Sequence, residues 1–108
     1  MMARDEDDTK SVADVAGDDD PLANAKIPPV SMSSLVQMIA SQVLVNLGLY
    51  PDPVVKKSVV RANLARHHID TLAMLQEKTQ GNLTEEERQM LEHILRDVRL
   101  MYIQATKT

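Results

Sequence analysis

Cysteine, phenylalanine and tryptophan are missing from this chain, and only three glycines are present. Without cysteine there is no disulfide, no thiolate metal site and no cysteine nucleophile, which is compatible with a reducing cytoplasm, the expected location. Two tyrosines are the whole aromatic content. A core must therefore be built from Leu, Ile, Val, Met and Ala, which suits helix packing better than a sheet sandwich. A long apolar run is lacking as well. The longest uncharged one, Leu35 to Tyr50, has 16 residues interrupted by Gln37, Ser41, Gln42 and Asn46, short of the roughly 20 of a membrane span. The opening MMARDEDDTK is acidic with no apolar stretch, so neither a secretory signal nor a transit peptide is expected.

What is present is unevenly distributed. The 108 residues suffice for one small domain, and 44% of them are apolar, a globular value. The formal net charge is −4, yet residues 1–30 hold eight acids against three bases while residues 31–108 hold nine bases against eight acids. The acidity sits in two knots, Asp5 to Asp8 and Asp18 to Asp20, followed by Pro21, Pro28 and Pro29. Lacking apolar periodicity, residues 1–30 are expected to be a disordered acidic tail. Such a tail is either a solvating leader or an arm for a basic surface. Seven methionines fit an adaptable interior or an adaptable contact surface.

Residues 31–108 read as an all-α, three-helix domain, with helices at about 34–47, 60–80 and 85–105. Ser34 and Gln37 have capping-box spacing, Gly48 supplies a left-handed stop with Leu49 behind it, and Pro51 and Pro53 prevent resumption. The first helix is apolar around most of its circumference, leaving narrow strips through Gln37 and Ser41 and through Gln42 and Asn46. A helix of that kind is buried in something larger than two neighbours can supply. Self-association through Leu35, Ile39, Val43, Leu44 and Leu47 is the resulting expectation. The second helix turns Leu64, Ala65, His68, Ile69, Leu72, Leu75 and Gln76 inward. The third opens on a Thr84–Glu87 capping box and repeats Met90, Leu91, Ile94, Leu95, Val98, Met101, Tyr102 and Ala105 at helical steps. Gly81 as the residue after the second helix, Leu83 as an apolar plug and Thr84 as N-cap together predict an antiparallel helix 2–helix 3 hairpin on a very short link.

At these residues the chain resembles a known family. The phrases "SSLVQMIASQVLVNLGLYPDP", "ARHHIDTLAMLQEKTQGNLTEEE" and "LRDVRLMYI" are similar to the small bacterial family catalogued as DUF1844, across about residues 31–104, with Lys78 to Thr84 as the most specific stretch. The resemblance implies a small all-helical protein, and it brings no catalytic residue with it.

Chemistry is thinly signalled. His67 and His68 are adjacent, so their side chains diverge by about 100° around a helix and cannot readily share an ion. His68 is expected level with Asp97, where a hydrogen bond across the hairpin is conceivable. A boundary histidine satisfied by a neighbour is the ordinary reading of such a pair. No H-E-x-x-H and no glycine-rich phosphate loop is present, and Glu85, Glu86 and Glu87 suit the positive end of a helix dipole. No enzyme activity, cofactor or metal is expected. Folding the hairpin gathers Lys56, Lys57, Arg61, Arg66, Arg96 and Arg99 at its open end, a candidate anion-facing surface, with the acids at the closed end. Dipole matching explains this for the third helix but not for the basic start of the second. The expected partners are a second copy of the chain, as a homodimer or higher oligomer, and an unidentified protein. Nucleic acid is disfavoured because the domain carries a single net positive charge and no stacking aromatics. A membrane surface is disfavoured because the first helix has no basic polar face. The favoured class is a non-enzymatic interaction or scaffolding module that self-associates through its first helix; the alternative is a peripheral membrane-associated or anion- or nucleic-acid-binding accessory protein that uses the basic end of the hairpin.

Overall fold

A computed structural model describes residues 20 and 23–107. It contains three helices, α1 (Met32–Asn46), α2 (Ala62–Lys78) and α3 (Glu85–Thr106), and no strand among the described residues. Most of the acidic tail, residues 1–19, 21 and 22, lies outside them. Each helix packs on both others.

The first helix starts one turn earlier than the Ser34–Gln37 spacing implies. Ser31, in an extended conformation, is the N-cap, and its hydroxyl accepts the Ser34 N–H at 3.0 Å. Gln37 instead donates its side-chain amide to Ser33. Three serines in four positions compete for the cap, and the outermost takes it because its oxygen reaches an otherwise unpaired N–H of the first turn. The end of α1 is as expected. Gly48 has φ +77°, its N–H bonds the Val45 carbonyl, and the Leu49 N–H reaches back to that of Leu44, the reciprocal pair of a Schellman motif.

The α2–α3 link is as short as expected, with one adjustment. The C-cap of α2 is Thr79, so Gly81 (φ +85°) stands two residues beyond it and not one. It forms the third position of a turn closed by the Asn82 N–H on the Thr79 carbonyl. Thr84 then caps α3 with both arms of the capping box in place.

Nine side chains form the core: Val36, Val43 and Leu47; Ala65, Ile69 and Leu72; Leu91, Leu95 and Val98. All eight apolar residues assigned to the inner face of α3 are buried or packed against this core. On α2, Leu64 is the exception and stays exposed. Asn46, on the narrow polar strip it shares with Gln42, is buried. Its side-chain amide donates to the Gln42 carbonyl one turn back, so the polar group is satisfied within its own helix.

Candidate interaction surfaces

Two surfaces were anticipated, and the structure sorts their members. Of the five residues assigned to self-association, Val43 and Leu47 are 0% and 2% exposed inside the chain's own core. They are covered by the hairpin and cannot face a partner. Ile39 and Leu44 are half-buried, and Leu35 is open. The side of α1 turned away from the hairpin carries Leu35 (40% exposed) and Met38 (58% exposed), together with Ser34, Gln37, Ser41 and Gln42. No Asp, Glu, Lys or Arg occurs between Met32 and Asn46. Ser34, Gln37, Met38 and Ser41 line an open hollow of about 530 Å³ with Pro28 and Pro29.

The anticipated basic end is only partly assembled. Arg66 and Arg99 line one cleft of about 300 Å³ between α2 and α3, with Ile69, Asp70, Tyr102 and Ile103. A second hollow joins Gln76 and Gln80 to Arg88 and Glu92. The first cleft is thus lined by early α2 and late α3, and the second by late α2 with the link and early α3. Several of the cations are already engaged. Arg61 is bound to Asp52 at 2.7 Å, Arg66 lies 4.0 Å from Asp70, and Arg96 donates to Nδ1 of His93 at 2.7 Å. Lys56, Lys57 and Arg99 make no ion pair among the described residues.

The conceived His68–Asp97 bond does not form. Asp97 pairs with His93, four residues earlier on α3, at 3.1 Å. The two ring nitrogens of His93 thus face Arg96 on one side and Asp97 on the other. His68 is half-buried at the edge of α2, and desolvation, with a smaller contribution from the neighbouring His67 charge, lowers its pKa below 6.5. Among the described residues no three His, Cys, Asp or Glu side chains are grouped to hold a metal ion, and no helix is long and apolar enough to cross a membrane.

One constellation escaped sequence reasoning. Asp52, between Pro51 and Pro53, organises the whole α1–α2 connection. Its Oδ1 accepts the N–H groups of Val54 and Val55 at 2.7 and 3.3 Å, and its Oδ2 holds Arg61. Its backbone N–H donates to the Lys57 carbonyl, and its own carbonyl accepts the Lys56 N–H. The Arg61 hydrogen bond, then that from Val54, keeps the carboxyl below its usual pKa of 3.8. The signal available was Pro-Asp-Pro: aspartate accepts from N–H groups two and three residues on in an Asx turn. An isolated antiparallel bridge between Leu47 and Val60 closes the loop at its base, and the Arg61 N–H binds the Asn46 carbonyl.

A family model described as "Domain of unknown function (DUF1844)" matches residues 29–104, in agreement with the resemblance carried by the three sequence phrases. No curated protein and no solved structure matches.

Proposed function

The chain belongs to the DUF1844 family, whose description names no activity, and from that premise we propose that it is a non-enzymatic interaction module that self-associates through the outer face of α1. One observation carries this reading: a 15-residue helix on the surface of a small domain has no ionisable side chain anywhere along it, while Leu35 and Met38 stand open. A surface helix that ends in water normally turns a charged face outward. The outward faces of α2 and α3 do so, with Arg66, His67, Asp70, Glu77 and Lys78 on one and Glu92, Arg96 and Arg99 on the other. An uncharged face is also the one two identical chains can share without opposing like charges across a two-fold axis. The small serines on it favour close approach of a partner helix.

The test is solution mass by light scattering after size exclusion, for the full chain and for a Leu35→Glu, Met38→Glu variant. Fully burying Leu or Met contributes about 1.5–3 kcal/mol, and these two are about half-exposed. With each substitution counted twice in a symmetric dimer, the variant should bind itself at least about a hundredfold more weakly. Val43 is unsuitable as a probe because its replacement strikes the core. A wild-type chain that is monomeric at all concentrations, or a helical variant with unchanged mass, would remove the proposal.

A further inference from the structure

Beyond self-association, we infer that the α1–α2 loop, residues 49–57, is a docking element for an anionic phospholipid surface, with Tyr50, Val54 and Val55 entering the interface and Lys56 and Lys57 meeting the headgroups. The loop carries its apolar side chains outward. Val54 is 85% exposed, and Leu49, Tyr50 and Val55 are all exposed as well. Lys56 and Lys57 follow directly and pair with no acid among the described residues.

The backbone distinguishes this loop from an ordinary exposed connection. From residue 51 to residue 56 no amide N–H is left free. Pro51 and Pro53 have none, Asp52 and Lys56 donate to backbone carbonyls, and Val54 and Val55 donate to the Asp52 carboxylate. Unpaired backbone groups make irregular segments costly in an apolar interface, and here the donor half of that cost has been removed before contact. The one acid of the loop is neutralised by Arg61 at 2.7 Å. The geometry is also fixed in advance: the Leu47–Val60 bridge and the Arg61–Asn46 bond close its base, so little ordering accompanies binding.

A lipid surface fits this tip better than a protein does. Stable protein partners bury about 800 Å² on each side, far more than a few side chains of one short loop present. A tyrosine beside aliphatic residues with adjacent lysines is the pattern that settles at a headgroup boundary. The chain's net charge of −4 opposes approach as a whole, so the attraction is local to the lysine pair. Unlike α1, which has no basic residue, this loop carries its own exposed cations, Lys56 and Lys57.

The experiment is flotation of the full chain with vesicles of phosphatidylcholine alone and of phosphatidylcholine mixed with phosphatidylserine. The full chain should float with the mixed vesicles. A Val54→Asp, Val55→Asp variant should lose at least about tenfold in bound fraction, and Lys56→Gln and Lys57→Gln roughly fivefold each on the mixed vesicles only. Because the chain has no tryptophan, Val54→Trp adds a single reporter whose emission should shift to the blue on mixed vesicles. That readout does not depend on the aspartate variant remaining folded. A full chain that stays unbound, equal flotation of the aspartate variant, or no tryptophan shift would each overturn the inference. So would a chain that ignores vesicles and loses solution mass on Val54→Asp, Val55→Asp, since the loop would then be a protein contact.

Discussion

Replacing Gly48 with alanine probes how closely the α1–α2 loop is seated on the end of α1, and Gly81 provides the control. Both glycines have positive φ, +77° and +85°. An L-residue in this region costs about 1–2 kcal/mol, and alanine recovers about 0.4–1 kcal/mol by restricting the unfolded chain. The conformational effect alone therefore leaves a loss of roughly 0–1.6 kcal/mol, the same at either site. Their surroundings differ. A Cβ on Gly48 would stand 3.1 Å from Cγ2 of Val60, whereas one on Gly81 would meet nothing within 4 Å. Displacing the Val60 side chain from its rotamer adds about 0.5–1.5 kcal/mol. Gly48→Ala should then lose about 0.5–3 kcal/mol in all, and about 0.5–1.5 kcal/mol more than Gly81→Ala, whose loss is no more than about 1.6 kcal/mol. In a domain of this size each kcal/mol lowers Tm by about 4–8 °C. Urea and thermal unfolding followed by circular dichroism read both variants. Adding Val60→Ala to Gly48→Ala should bring the loss back to the Gly81→Ala value. Equal losses at the two glycines, or a double variant no more stable than Gly48→Ala, would refute the close contact.

Two further expectations concern pH. Because the folded-state pKa of Asp52 lies below 3.8, its contribution to stability is complete above that value and is lost as the pH falls through the lowered folded pKa. Asp52→Asn should lower stability at neutral pH and flatten its dependence on acid, as read by urea midpoints across a pH series; parallel curves for variant and wild type would contradict this. For His68 the folded pKa lies below 6.5, so the unfolded chain takes up the proton first and stability declines as the pH falls from 6.5 towards the folded value. His68→Gln should remove that decline, and an unchanged slope between neutrality and the folded pKa would count against the burial of His68 as its cause.

The parts of the fold legible in the sequence are those encoded locally. α3 could be placed because its cap lies within four residues, Thr84 to Glu87, and its apolar residues recur over more than four turns. The left-handed stop at Gly48 was legible for the same reason. The orientation of α1 was not. Periodicity orients a helix by contrast between faces, and a helix with no charge offers none, so Leu35 and Val43 look alike until the hairpin covers one of them. The Asp52–Arg61 pair joins positions nine residues apart through an irregular loop, where no period relates them. His93 and Asp97 are different: their four-residue spacing on a helix is visible in the sequence and suffices to predict the pair. The basic end was read from helix positions alone, without the local acids and the histidine that occupy Arg61, Arg66 and Arg96.

The internally bonded loop has a bearing on solubility. Two adjacent valines held open to solvent are the kind of β-prone pair through which edge strands recruit one another. Recruitment of that sort runs through free backbone donors as much as through side chains. With Pro51 and Pro53 lacking an N–H and the Val54 and Val55 amides held by Asp52, the loop offers an incoming strand no donor ladder to extend. Its apolar side chains can contact another surface while its main chain offers a growing sheet acceptors without the alternating donors a ladder needs.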